Sequence, residues 1–272
     1  MMKELFAYGV VARSAYPLFI LNFQFRNEKD MLTNITKRFY FRSLAFLIFL
    51  TLSSMLSFAQ QTETSRPDVT ENWKIYKQQV ETDPDKRMVE LKTVIPGVVY
   101  DLRYASTNNF MQRRMYPRNT RLTFLRAPAA TALAEVQKEL NEKGLGLKIF
   151  DAYRPYSVTV AFWELVKDER YVANPAKGSG HNRGVAVDLT IIQLKTGEEL
   201  DMGTGFDNFT DTAHHGYSKL PETVLQNRLL LKSLMEKNGF QALDSEWWHY
   251  YLKDWNKFEL LDLDFKKLRK QF

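Results

Sequence analysis

An apolar run in the second half of the chain contains a single carboxylate, and this acid limits the possible folds more than any other feature. The run is Val185-Ala-Val-Asp188-Leu-Thr-Ile-Ile192, and its composition predicts a buried strand. An unpaired carboxylate inside such a strand would cost several kcal/mol in lost hydration. Asp188 therefore needs a cation. The candidates are a lysine or arginine in an ion pair, with Arg183 close by in sequence, or a metal ion.

The segment before this strand supplies an imidazole. His181 lies between Gly180 and Gly184, and these glycines let the backbone turn tightly enough to bring His181 and Asp188 to one point. This favours the metal over the ion pair. The sequence has four histidines and no cysteine, so any metal must be held by His, Asp or Glu side chains.

A second segment, Glu246-Trp-Trp-His249, adds another imidazole and another acid. A lone histidine among aromatic residues is more often a packed core residue than a ligand. Here two imidazoles and two carboxylates together suffice for a catalytic zinc site, which has three protein ligands and one open position. Positions three apart on a regular strand face opposite sides. Glu246 and His249 can therefore reach one metal only if Glu246 precedes the strand or lies at a bulge.

The N-terminal region has the pattern of a signal peptide. Lys37, Arg38 and Arg42 precede the apolar segment 43–59, which ends in the small-residue motif Ser57-Phe-Ala59.

We therefore expect residues 1–59 to be a leader, with the natural start at Met31 and a signal peptide over residues 31–59. The mature protein would be periplasmic or secreted, without stable membrane insertion. The alternative is an uncleaved anchor, because about seventeen apolar residues is the lower limit for crossing a bilayer. The polar run 60–67 that follows favours cleavage.

The net charge of +6 does not indicate a nucleic-acid partner. The leader carries seven Lys and Arg residues against three Asp and Glu, which leaves only +2 for the remainder.

Hydrophobic spacing predicts several helices and strands in the rest of the chain. Helices are expected at 73–80, 128–143, 157–167 and 222–237, and strands at 94–104, 147–152, 185–192, 200–207 and 246–251. This order lacks regular strand–helix–strand alternation, so it predicts an α+β fold with a central antiparallel sheet flanked by helices. We expect residues 60–85 to form a linker and N-terminal extension, and residues 86–272 to form one catalytic domain.

Five motifs in order along the chain together resemble the zinc D-alanyl-D-alanine dipeptidases, the VanX-like branch of peptidase family M15. They are Tyr100–Phe110, Asp151–Pro155, Ser179–Asp188, Met202–Asp207 and Glu246–His249. The resemblance implies an α+β fold like that of Hedgehog and the D,D-peptidases.

The resemblance also implies how the site works. One Zn²⁺ per chain would be held by His181, Asp188 and His249, and Glu246 would be the general base and then the acid. Arg154 would stabilise the oxyanion. Without the resemblance, the sequence indicates only a surface or ion-paired arginine at the end of a strand.

Three further positions would contact the substrate: Tyr104, Ser179 and Asp207. Asp207 would pair with the free ammonium group of a dipeptide and replace its hydration. Without the resemblance, an acidic residue in an ordinary turn is an equally good interpretation of Asp207. His214 and His215 follow in the chain. We expect them to be an exposed loop pair, with a supporting role at the site as the alternative.

The sequence therefore predicts a hydrolase that cleaves D-Ala-D-Ala, or a related D,D-dipeptide, in cell-wall metabolism. One alternative is a zinc D,D-carboxypeptidase that trims peptidoglycan stem peptides. Another is a non-catalytic wall-binding module. Glu246 argues against the module, because binding alone needs no base.

Overall fold

The structure is a computed structural model that describes residues 66–270. The predicted leader, its signal peptide and the proposed start at Met31 lie outside the described residues. Within residues 66–270, no helix combines the length and the hydropathy needed to cross a membrane.

Short strands alternate irregularly with helices along the described chain. The strands are β1 (Val69–Thr70), β2 (Met88–Glu90), β3 (Val99–Tyr100), β4 (Phe124–Arg126), β5 (Leu145–Asp151), β6 (Ala186–Gln193), β7 (Phe240–Leu243), β8 (Glu246–Leu252) and β9 (Leu260–Leu261). The α-helices are α1 (Trp73–Thr82), α2 (Leu91–Val94), α3 (Ala127–Asn141), α4 (Tyr156–Val166), α5 (Gly180–Arg183), α6 (Glu222–Lys237) and α7 (Phe265–Arg269). Single 3₁₀ turns lie at Pro84–Lys86, Arg103–Ala105, Asp211–Ala213 and Trp255–Lys257.

A five-stranded sheet forms the centre, in the order β3-β5-β6-β8-β7. Only the short β3 runs parallel to its neighbour, and the other pairings are antiparallel. Two small pairs, β2 with β4 and β1 with β9, lie outside this sheet. The predicted α+β class with a central antiparallel sheet is confirmed.

Helices α3 and α6 pack on the sheet and on each other because each has an apolar face at helical spacing. In α3 this face contains Leu133, Val136 and Leu140, and in α6 it contains Leu231 and Met235, all of them buried. Their sequence predictions are confirmed within a few residues. The predictions for α4, β5, β6 and β8 agree equally well.

One predicted strand is much shorter than expected, and another is wrong. In the segment 94–104 only Val99–Tyr100 pairs as a strand, β3, because α2 ends at Val94 and a turn follows, with Gly97 at φ +82°. The segment 200–207 is a loop, in which the Asp201 carboxylate accepts a hydrogen bond from the Gly203 N–H. Side-chain bonds to the backbone of this kind compete with sheet pairing. Sequence reasoning also missed β7.

The N-terminal extension contains the helix predicted at 73–80, here α1, and it packs against the body of the domain. Strand β1 pairs with β9 near the C-terminus. In α1 the Tyr76 ring is buried, and its hydroxyl accepts a hydrogen bond from the Met88 N–H at 2.7 Å.

Arg126 joins three separate segments through a fully buried guanidinium. Its Nε donates to the Arg183 carbonyl at 2.9 Å, its Nη2 to the Glu259 carbonyl at 3.1 Å, and its Nη1 to the Lys86 carbonyl. Arg183 belongs to the glycine-rich segment around His181. Arg126 therefore links this segment to Lys86, near the start of the domain, and to Glu259, near its end.

We predict that Arg126→Met lowers the free energy of unfolding by about 3–5 kcal/mol, because it removes the donor of three partly buried hydrogen bonds. Denaturant unfolding followed by circular dichroism measures the loss. The control Arg113→Met changes an exposed arginine of the 105–123 loop and should shift stability by no more than about 0.5 kcal/mol. Equal losses for the two variants would contradict the role of Arg126.

Candidate metal centre and active site

Three neighbouring strands present a row of polar side chains on one face of the sheet. Asp151 on β5 pairs with Asp188 on β6, and Asp188 pairs with His249 on β8. Residues directly opposite each other in antiparallel strands point to the same face. The register alone therefore places these three side chains together.

A short helix brings His181 to the same row. The Ser179 side chain caps α5 by accepting a hydrogen bond from the Asn182 N–H at 3.2 Å. The Asn182 side-chain oxygen in turn accepts a hydrogen bond from the Ser179 N–H. Gly184 ends the helix at φ +70°. A Cβ at Gly180 would lie 2.8 Å from the Ala186 Cβ, so this close approach of helix and strand requires glycine.

The orientation of the His181 ring is set by its backbone partner. The Ala152 carbonyl can only accept, so the His181 Nδ1, 2.7 Å away, carries the proton and donates. In the neutral ring the other nitrogen, Nε2, then carries no proton, and it lies within 3.4 Å of Asp188 and His249. A backbone carbonyl that fixes the tautomer of an imidazole in this way is usual at metal sites.

The candidate ligand atoms of three residues lie close enough together to hold one metal ion. The His181 Nε2 lies 3.3 Å from the His249 Nδ1 and 3.4 Å from the Asp188 Oδ2, and the His249 Nδ1 lies 2.8 Å from the Asp188 Oδ1. Ligands about 2.0–2.1 Å from a tetrahedral ion lie about 3.3–3.4 Å from one another. Both distances from the His181 Nε2 have this value. The Asp188 carboxylate contacts the two histidines through different oxygens, and the candidate ligand atoms of the three residues all lie within 4.8 Å of one another. His181, Asp188 and His249 therefore fit a divalent ion.

The electrostatics of this group agree with a cation site. Burial opposes ionisation of Asp188, but the imidazoles of His181 and His249 outweigh it and hold the pKa of Asp188 below its usual range. Burial likewise disfavours the charged form of His249, yet the hydrogen bond to Asp188 raises the pKa of His249. The alternative partner, Arg183, is directed elsewhere: its guanidinium donates to the Phe258 carbonyl and stacks on the Trp255 ring.

Glu246 meets the geometric condition derived from the sequence. It is the first residue of β8, and the pairing of β7 with β8 shifts register between Ala242 and Leu243, directly opposite. This irregularity lets Glu246 line the same cavity as His249, three residues further on. Burial raises the pKa of the Glu246 carboxyl, with Asp188 adding to the effect.

Arg154 is buried and held by an acid that sequence reasoning did not select. Its Nε and Nη2 both donate to the Asp151 Oδ2, at 3.1 and 2.7 Å. Its guanidinium also lies over the rings of Tyr104 and Phe162. The reading of Arg154 as a surface arginine is therefore wrong, although it is ion-paired.

Asp151 is fully buried and also accepts hydrogen bonds from the Tyr116 hydroxyl and the Ala152 N–H. It thus fixes a cation beside the candidate metal site. The available signal was an acid at the end of an apolar strand, three residues before Arg154.

The predicted substrate-contacting residues line the same cavity. The Tyr104 hydroxyl donates to both oxygens of Asp207, at 3.1 and 3.2 Å. Asp207 does lie in a turn, with φ +60°, but its side chain points into the cavity, and burial raises its pKa. Ser179 lines the cavity while its oxygen caps α5.

His214 and His215 lie apart from this group. They line a different cavity, with Asp211, Lys232 and Asp244. Burial lowers the pKa of His215 to about 4, and its ring packs against Tyr250. This placement does not support the alternative of a supporting role at the site. The expected exposed pair is confirmed only in part, because both histidines are partly buried.

The candidate site is a small cavity of about 270 Å³ with aromatic walls. Phe110, Phe162, Phe209 and Trp248 contribute to these walls. Phe110 comes from the 105–123 loop. This volume is just below the usual range for small-molecule sites, about 300–1,000 Å³. The cavity therefore suits a ligand of only a few residues.

Comparison with known proteins identifies the family of the chain. Residues 85–268 match the family model Peptidase_M15, described as D-ala-D-ala dipeptidase. The chain is 36% identical over 174 residues to the D-alanyl-D-alanine dipeptidase of Escherichia coli strain K12, which covers 64% of this chain and 89% of the relative. It is 33% identical over 182 residues to the enzyme of that name from Enterococcus faecalis strain V583, at 60% and 90% coverage.

Solved structures give a more distant likeness. The LD-carboxypeptidase LdcB is 18% identical and has a TM-score of 0.36, with 67% of this chain and 77% of that chain covered.

We predict that the chain binds one divalent ion and that His249→Ala weakens its affinity for Zn²⁺ more than about 100-fold, because two ligands cannot replace three. Equilibrium dialysis with metal analysis measures the affinity and the stoichiometry. His214→Ala serves as the matched control and should bind Zn²⁺ as the unmodified chain does. Equal losses for the two variants would exclude the predicted ligand set.

Proposed function

The chain belongs to peptidase family M15, and on that premise we propose that it is a zinc-dependent dipeptidase that hydrolyses D-Ala-D-Ala or a closely related D,D-dipeptide. The observation that carries the proposal is the convergence of His181, Asp188 and His249 with Glu246 and Arg154 in one small cavity. The names of the curated relatives supply the substrate class.

The metal would be held by two imidazoles and one carboxylate, the donor set that suits Zn²⁺ with one open position. When bound, Zn²⁺ lowers the pKa of a coordinated water to about 7 and polarises a carbonyl. Glu246 then takes the proton of the attacking water and returns it to the departing amine. Because burial raises its pKa, Glu246 is a stronger base than an exposed carboxylate.

Arg154 provides positive charge for the oxyanion. Its guanidinium is held by Asp151 and by two aromatic rings before the substrate arrives. A cation that needs no reorganisation during the reaction stabilises the developing charge effectively. Asp151 accepts hydrogen bonds from only the Nε and the Nη2 of Arg154. A guanidinium has five N–H groups, so Arg154 keeps donors for the oxyanion.

The amino-terminal end of the dipeptide would be recognised by Asp207. A free ammonium entering a largely buried cavity needs an anion to replace its hydration. Tyr104 orients the Asp207 carboxylate through its hydroxyl. The Ser179 oxygen accepts a bond from the backbone, so its hydroxyl proton stays available to the substrate. An N-acylated stem peptide carries no such ammonium, and Asp207 therefore favours the dipeptidase over the carboxypeptidase.

We further propose that the enzyme acts outside the cytoplasmic membrane, on dipeptides released from the cell wall. This part of the proposal rests on the basic and apolar pattern of residues 37–59, which is typical of a signal peptide.

We predict that Glu246→Gln lowers kcat for D-Ala-D-Ala by about 10²–10⁴-fold while one Zn²⁺ per chain is retained, because the amide cannot accept the proton. Steady-state kinetics with metal analysis separates the two effects. Glu198→Gln, in the exposed hairpin turn after β6, is the matched control and should keep full activity. A fully active Glu246→Gln variant would show that the proposed mechanism is wrong.

We predict that Asp207→Asn lowers kcat/KM for free D-Ala-D-Ala by about 30-fold or more, because the ammonium loses a partly buried partner. For an N-acylated tripeptide the same change should have little effect. Asp211→Asn, in an exposed 3₁₀ turn nearby, is the control. If the unmodified enzyme prefers the acylated tripeptide, the chain is a carboxypeptidase.

A further inference from the structure

A second cavity, of about 520 Å³, lies between the loop segment 117–122 and helix α7. It shares no lining residue with the candidate active site within the described part of the chain. Its apolar wall is formed by Pro117, Leu122 and Phe265. Its size lies well inside the range for small-molecule sites.

Four cationic side chains line this cavity. Arg118 and Arg121 come from the loop, and Lys266 and Arg269 come from one face of α7. All four residues are exposed, and within residues 66–270 none of them forms an ion pair or hydrogen bond through its side chain. Two segments far apart in sequence therefore bring unpaired positive charge to one concave surface.

The two acids in the lining are already engaged. Glu90 is buried and accepts a hydrogen bond from the Tyr100 hydroxyl at 2.8 Å. Asp264 caps α7 by accepting from the Lys266 N–H at 2.7 Å and the Lys267 N–H at 3.3 Å. Two carboxylates therefore face four cations, and neither carboxylate pairs with one of them.

The walls of the cavity are held in place by their own contacts. Phe265 packs against Tyr116 and Tyr153, with ring centroids 5.1 and 5.8 Å apart, and this anchors α7. The Thr120 hydroxyl and N–H both donate to the Pro117 carbonyl, which closes the loop turn. A cavity formed in advance binds a ligand at a smaller entropic cost than one that must be ordered.

We propose that this cavity binds a soluble anion that carries two or more phosphate or carboxylate groups. Clustered like charges repel each other, and an anion relieves that repulsion. The arginine fork matches both phosphate and carboxylate in bidentate geometry. Because cations stand on both sides of the cavity, an anion with two charged groups can contact both segments at once. This site is separate from the proposed peptidase reaction and does not depend on it.

The test is isothermal titration of the full chain with pyrophosphate and with citrate, which distinguish phosphate from carboxylate recognition. The cavity variant is Arg121→Gln/Arg269→Gln. Its matched control, Arg113→Gln/Lys267→Gln, removes the same charge from exposed positions of the 105–123 loop and of α7 that lie outside the cavity lining. We expect saturable binding of at least one probe at one site per chain. The cavity variant should bind about 10-fold more weakly or worse, and the control should remain within about twofold.

The proposal is overturned if neither probe binds, or if the two double variants weaken binding equally, since general surface charge would then explain the effect. It is also overturned if vesicles containing phosphatidylglycerol bind at the cavity residues while the soluble probes do not. Thermal unfolding by circular dichroism verifies that each variant is folded. The single variant Arg118→Gln provides a second reduction of the cavity charge and should also weaken binding.

Discussion

Two carboxylates lie side by side in the interior of this protein, on adjacent strands, and the structure around them follows from their need for positive charge. Asp151 and Asp188 are paired in register on β5 and β6. Like charges directly opposite one another destabilise a sheet, and neither acid is exposed to water. Asp151 is neutralised by Arg154, whereas within residues 66–270 Asp188 pairs only with the imidazoles of His181 and His249. The first acid thus fixes the cation proposed to stabilise the oxyanion, and the second has the surroundings of a metal ligand.

The surrounding fold holds these groups in place before any ligand binds. Arg126 ties the glycine-rich segment to both ends of the domain, and the Ala152 carbonyl fixes the ring of His181. Tyr116 supports Asp151 from the long 105–123 loop. Arg154 and His181 are therefore each oriented by a second, buried contact, which is the arrangement that the proposed electrostatic catalysis requires. The basic cavity is lined by Pro117, the residue after Tyr116, and by exposed cations that do not line the candidate active site.

Much of the site could be predicted because its residues occur in short segments with unusual composition. An acid inside an apolar strand, a histidine between two glycines and an acid three residues before a histidine are each visible in the sequence. The condition that Glu246 needs a bulge or a strand end was also predictable from the geometry of a strand, and the register shift beside Leu243 meets it. Asp151 was not selected, because its importance comes from contacts with Arg154 and Tyr116 that spacing alone does not reveal. The strand expected at 200–207 was wrong because local side-chain bonds replaced the ladder.

The sequence by itself determined the longer elements, since apolar periodicity and turn residues specify α3, α6 and β6 within a few positions. It also determined which residue types could hold a metal, since the chain has no cysteine. Only the tertiary structure decided which acid meets which cation. Arg183 is close to Asp188 in sequence but donates to the Phe258 carbonyl. His249 is far from Asp188 in sequence but lies beside it, on the neighbouring strand. The physical reason is that periodicity reports burial, but the partner of a buried charge depends on strand register, which brings together residues that lie far apart along the chain.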